Sequence, residues 1–161
     1  MTKSETISSS HYTENHMQNT AMWFETAVPT PTIKNMHTQI GVHFEEVGEM
    51  LEALSAKDNI TRAMLLSTGQ SMRMLAKHLK QNDNVLDLTM NLQDLLDALC
   101  DQLVTAIGTG YMLKLPILDA LHEVNRSNWS KFVKGNPVFD KNMKIIKGPD
   151  YFKPDLSKFF T

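Results

Sequence analysis

From Ile33 onward the apolar residues fall at 33, 36, 40, 44, 47, 51 and 54. Steps of three and four place them on one side of a helix, and the pattern predicts one running to about Ser55. Thr32 closes the rigid turn "VPTPT" (28–32) and can cap that helix. "AKDN" (56–59) breaks the pattern, with Asp58 or Asn59 as the next cap. A second predicted helix runs to about Gln81, with Met64, Leu65, Met72, Leu75 and Leu79 inward. After the polar turn "QNDN" (81–84), a third spans about Asp87 to Leu113. Its stripe is Leu88, Leu92, Leu95, Leu99, Leu103 and Ala106. Pro116 opens a fourth, to about Phe132. Four helices with short links predict an all-α four-helix bundle.

The flanks differ from this middle. Residues 1–20 are polar, rich in Ser, Thr and Asn, and are expected to form a loosely held arm. "AMWFETA" (21–27) is a short apolar patch suited to docking on the body, so residues 21–161 form one expected domain. The last thirty residues carry Gly, Pro and Asn around short apolar runs. They predict a short irregular or hairpin C-terminal tail ending in a helical turn.

Composition bounds the function. The 161 residues contain 42% hydrophobic residues and carry a formal charge of −2. That balance gives no basic excess of the kind nucleic-acid binders show. No apolar run reaches the roughly 18–20 residues of a membrane span, and "MTKSETISSSHYTENH" lacks the apolar core of a secretory signal. The single Cys100 lies within a periodic segment, as a buried inert thiol would. With no partner for a disulfide, it fits a reducing cytoplasm.

Charge is where the helices depart from the ordinary. The first predicted helix carries Glu45, Glu46, Glu49 and Glu52, with no Lys or Arg three or four residues from any of them. Glu46 and Glu49 are surface neighbours at i and i+3. The third helix repeats the situation with Asp94, Asp97 and Asp101, on the side opposite Leu99. One reading is two solvated faces, partnered by the basic stripe Arg73, Lys77 and Lys80 of the second helix. The other is a carboxylate cage for Mg²⁺ or Mn²⁺, since hard cations take oxygen ligands and Mg²⁺ is often bridged to phosphates by a few carboxylates. Di-iron bundles use Glu-x-x-His, which is absent here, and no Cys–His set for zinc appears.

The fourth helix holds "LHEVNRSNWSKF" (121–132), in which Asn125 and Asn128 project with the apolar residues. A buried amide costs about 1–3 kcal/mol unless it finds partners. Those partners are either structural or a ligand's polar edge. Lys131 can meet phosphate. In the tail, Lys147, Tyr151 and Lys153 place a ring between two cations, an arrangement suited to a base and a phosphate.

Four blocks in this order, "QIGVHFEEVGEML", "DALCDQLVTAIGTG", "EVNRSNWSKF" and "KGPDYFKPDL", resemble the MazG-like all-α nucleoside triphosphate pyrophosphohydrolases, in the small form common in phages. The resemblance covers roughly residues 20–160. The family's Glu-x-x-Glu is matched by Glu46 and Glu49. Its Glu-x-x-Asp is matched at Asp101, while Ala98 stands where its Glu would be and Asp97 is the stand-in. Asn128 and Lys131 match the block before the tail. The resemblance implies a bundle of the all-α NTP pyrophosphohydrolase type. It implies Mg²⁺ held by Glu46, Glu49, Asp97 and Asp101, and hydrolysis of a (deoxy)nucleoside triphosphate to monophosphate and pyrophosphate. Glu45 or Glu49 would be the base, with Asn125, Asn128, Lys131, Lys147, Tyr151 and Lys153 toward the nucleotide. It also implies a homodimer or homotetramer, and a MazZ subset acts on guanine nucleotides. The competing expectations are a dUTPase- or dCTPase-type diphosphatase on the same scaffold, and a non-catalytic helical adaptor.

Overall fold

The computed structural model of the chain describes residues 15–89 and 91–160. Five helices order as α1 (His16–Ala27), α2 (Ile33–Ala53), α3 (Asn59–Gln81), α4 (Leu92–Met112) and α5 (Ile117–Trp129), followed by a 3₁₀ turn at Ser157–Phe159. Among the described residues extended pairing is limited to one isolated bridge, Val133 with Asn136. The chain is therefore all-helical. It divides into two compact units: one holds α2, α3 and residues 139–144, and the other holds α1, α4, α5 and the C-terminal segment from Ile145.

The first unit is an antiparallel helix hairpin. Thr32 caps α2 in a reciprocal box with Asn35, and Asp58 caps α3 by accepting from the Thr61 amide at 2.8 Å. The contact between the helices rests on small residues. A Cβ built on Gly41 would lie 2.8 Å from the Ala76 carbonyl oxygen, and one on Gly48 would lie 3.5 Å from that of Gly69. Gly41 and Gly48 are seven apart, as are Gly69 and Ala76, so the two small stripes meet in antiparallel register. A second seven-residue pair rides on the edge. Lys80 reaches Glu45 at 2.7 Å, and the Arg73 fork grips both oxygens of Glu52.

The predicted apolar stripe of this helix is not the face that α3 covers. Gly41 and Gly48 lie about 80–100° around α2 from Ile40. Consequently Ile33, Met36 and Leu54 remain exposed, while Ile40, Phe44, Val47 and Leu51 are half-buried. In α3, Leu79 is buried as expected, but Met64 and Leu75 are exposed.

The other unit departs from expectation at its start. Residues 16–20, expected in a loose arm, are helical, and α1 takes in the "AMWFETA" patch as well; residues 1–14 of that arm lie outside the described residues. Asn15 caps α1, accepting from the Met17 and Gln18 amides. Its buried line is Asn19, Trp23 and Ala27, four apart. Trp23 stacks on Phe132 with ring centroids at 5.7 Å, and Trp129 meets Phe132 edge-on at 5.4 Å. Val28 and Ile145 complete this small core.

The third predicted helix starts later than expected, at Leu92, behind Asn91 in a left-handed conformation (φ 55°). Its stripe is not buried in the described chain. Leu92, Leu95, Leu99 and Leu103 are all exposed, as are Leu96, Val104 and Tyr111. Cys100, expected to be buried, is exposed on the same helix. Only at its C-terminal end is α4 closely covered, where Gly110 meets Ile117 of α5.

Candidate functional site

Four glutamates lie along α2. Glu45 accepts from Lys80 at 2.7 Å and from Lys144 at 3.1 Å. Burial alone would push its carboxyl upward, but hydrogen bonds and positive charge from the two lysines outweigh this and hold it below the ordinary value. Lys144 is placed there by a tight loop. The Asp140 carboxylate accepts the Asn142 and Lys144 amides, Met143 is left-handed at φ 61°, and Thr38 of α2 donates to the Asn142 carbonyl at 2.6 Å. Glu52 is held by Arg73. Glu46 and Glu49 are both exposed, one turn apart. The basic partners expected on the second predicted helix therefore exist, and they engage Glu45 and Glu52.

Asp94, Asp97 and Asp101 are exposed along α4. The two pairs assigned to metal thus belong to different units, Glu46 and Glu49 to the hairpin and Asp97 and Asp101 to the other. Among the described residues no three His, Cys, Asp or Glu side chains are gathered as a metal cluster. The donor chemistry of each pair nevertheless suits Mg²⁺, which commonly takes one or two carboxylates and fills the rest of its shell with water and phosphate oxygens.

The nucleotide-binding candidates mostly converge on the C-terminal end of α5. Lys131 donates to the Asn128 side-chain oxygen at 2.7 Å and sits 5.6 Å from the Trp23 ring centroid. The Trp23 indole donates to the Asn128 carbonyl at 2.9 Å. Lys147 lies 4.6 Å from the Tyr151 ring centroid, a cation–π contact, and Lys153 is exposed on the same segment. Asn125 differs. It is 1% exposed, its oxygen accepts from Thr20 at 3.0 Å, and its amide donates to the His16 carbonyl at 2.8 Å. The structure therefore engages both ends of that amide in fastening α1 to α5.

The tail is a strap along α5. Gly148 donates to the Lys131 carbonyl, Phe152 exchanges hydrogen bonds with Ser130 and Ser127, and Asp155 donates to Glu123 at 3.1 Å. As tail numbers rise α5 numbers fall, so the strap runs antiparallel to the helix. A side chain at Gly148 would meet the Lys131 carbonyl at 2.8 Å, so only glycine allows this approach. Arg126 lies over Phe152, 5.1 Å from its ring centroid. Lys147 and Tyr151 are thereby fixed beside Asn128 and Lys131.

Glu123 is the strap's deepest anchor, 3% exposed. The Asp155 amide and the Lys158 ammonium hold its carboxyl below the ordinary glutamate value of 4.5, against burial, which pushes it upward. A depressed folded value stabilises the docked strap above that pH, and the contribution is lost as pH falls through the folded value. Asp155 and Phe152 amides should thus lose exchange protection in acid, below about pH 4.5. Glu123→Ala should remove the acid step and weaken the strap at neutral pH by roughly 1–3 kcal/mol. Hydrogen exchange across pH on both proteins checks this.

Sequence reasoning missed Lys144, Glu123 and the small-residue stripes. The stripes had a signal, the two sevenfold spacings. Glu123 and Lys144 had none, because their partners lie 32 and 99 residues away. No family model matches the chain, and no curated protein or solved structure does so either.

Proposed function

We propose that the chain is a Mg²⁺-dependent hydrolase that cleaves nucleoside triphosphates to the monophosphate and pyrophosphate, on a MazG-like helical scaffold. The observation that carries the reading is the Glu-x-x-Glu pair itself: Glu46 and Glu49 are exposed one turn apart on α2, a spacing at which two carboxylates can share one cation. The convergence of Asn128, Lys131, Lys147 and Tyr151 supports it.

Glu46 and Glu49 on one unit, and Asp101 and Asp97 on the other, are the residues that would hold Mg²⁺, which would supply charge neutralisation at the phosphates and a more acidic water. Glu49 takes the proton of the attacking water. Glu45 is a poorer base, since two lysines occupy its oxygens and hold its proton affinity down. Lys131 and Lys147 meet phosphate charge, and Tyr151 offers an aromatic face to the base. Presenting the full chain with Mg²⁺ and a panel of ribo- and deoxynucleoside triphosphates tests this. Turnover of one or more is expected, whereas the adaptor reading requires none.

The assembly is part of the proposal. A helix with Leu96 64% and Val104 67% exposed presents an apolar face of the kind that marks interfaces. A second copy covers that face in a homodimer or homotetramer. In the single chain nothing lies within 4 Å of a Cβ at Gly108. Gly108→Leu should therefore leave the isolated fold intact yet shift the oligomer toward monomer in light scattering. A wild-type monomer at micromolar concentration with full activity would contradict the assembly.

A further inference from the structure

We propose that His37 is a proton-sensitive latch that ties the segment after α3 to α2, and that a second proton on its ring frees residues 82–88. This rests on no reading of catalysis. His37 is 0% exposed. Its Nδ1 lies 3.0 Å from the Ile33 carbonyl oxygen, and its Nε2 lies 3.2 Å from the Leu86 amide nitrogen.

A backbone amide can only donate, so Nε2 is the bare nitrogen and Nδ1 carries the hydrogen that goes to Ile33. Both ring nitrogens are thus committed to backbone groups 53 residues apart in the chain (86 − 33). These two bonds fix one tautomer. A proton added to Nε2 would face the Leu86 N–H, turning an attraction into a repulsion inside an enclosed site.

Residues 82–87 are exposed and Asn84 is left-handed at φ 58°. Asp83 pairs with Lys34 of α2 at 2.9 Å, and Lys34 also donates to the Lys80 carbonyl at 3.1 Å. The charged and titratable groups on the elements packed at this end of α2 are Lys34 of α2, His78 and Lys80 of α3, Asp83 and Asp87 of the segment itself, and Asp140, Lys141 and Lys144 of the loop that Thr38 holds. His78 bonds Asn82, so it is the control histidine. Latched, the chain leaves the hairpin at Leu86; released, it leaves at Asn82. The difference is four residues, about 13 Å of extended chain.

The test is proton–nitrogen NMR on the full chain. Long-range ring correlations should show His37 as the Nδ1–H tautomer near neutral pH. As the pH is lowered, the Leu86 amide should lose protection roughly tenfold, as loss of one hydrogen bond implies. Amides inside α2 and α3 should keep theirs. The step should vanish in His37→Gln and persist in His78→Gln. An Nε2–H tautomer, a step surviving in His37→Gln, or Leu86 losing protection only together with the whole hairpin would each overturn the latch.

Discussion

Glu49→Gln is expected to lower nucleoside triphosphate turnover by at least about a hundredfold, the scale set by removing one preorganised electrostatic group from a reacting site, with helical content unchanged. Gln keeps the shape and loses the charge. Glu49 is exposed on α2, and its reach toward Arg73 is through charge alone, so the hairpin does not depend on it. Relief of the Glu46–Glu49 repulsion should raise stability by a few tenths of a kcal/mol. Asp101→Asn should behave alike, because Thr105 bonds the Asp101 backbone carbonyl and not its side chain. Glu52→Gln is the control. It removes an ion pair between two exposed side chains, which solvent screens, and should leave turnover near normal. Steady-state kinetics at saturating Mg²⁺, with far-UV circular dichroism, read both quantities.

Gly41→Leu should destabilise the hairpin by about 3 kcal/mol or more. A Cβ alone already approaches the Ala76 carbonyl oxygen to 2.8 Å, and overpacking against a backbone atom relaxes poorly. Gly69→Ala makes the opposite prediction. Its Cβ would find the Gly48 oxygen at 3.7 Å, an ordinary contact, so the helix propensity gain of up to about 1 kcal/mol survives. Thermal or denaturant unfolding of the two variants checks whether the close approach at Gly41 and Ala76 holds the helices together. Opposite behaviour at two glycines on one interface cannot come from propensity alone.

The helices were legible where large apolar residues recur at three and four. Asp58 and Gln81 bound α3 as expected, and Thr32 caps α2. α1 was not legible, because its buried line is Asn19, Trp23 and Ala27, which does not score as an apolar stripe. The inward face of α2 was misplaced for a related reason. Counting large side chains centres the helix on Ile40, whereas glycines let the backbones approach from another side. At the site, the local pair Glu46–Glu49 and the turn from Asn128 to Lys131 could be read from spacing. Lys80 was legible as a partner for the α2 acids, but the hold of Lys144 on Glu45 and what Asn125 and Glu123 engage were not, since those partners come from distant segments. Asn125 shows the limit best: the odd polar residue on an apolar face was visible, and its service to α1 was not.

Phosphorus NMR of the full chain incubated with Mg²⁺ and a deoxynucleoside triphosphate tests the central claim most directly. The account predicts that the triphosphate signals give way to pyrophosphate and a nucleoside monophosphate, that a chelator stops the reaction, and that Glu49→Gln does not carry it out. Release of inorganic phosphate with a nucleoside diphosphate, or an unchanged spectrum across the nucleotide panel, would contradict it.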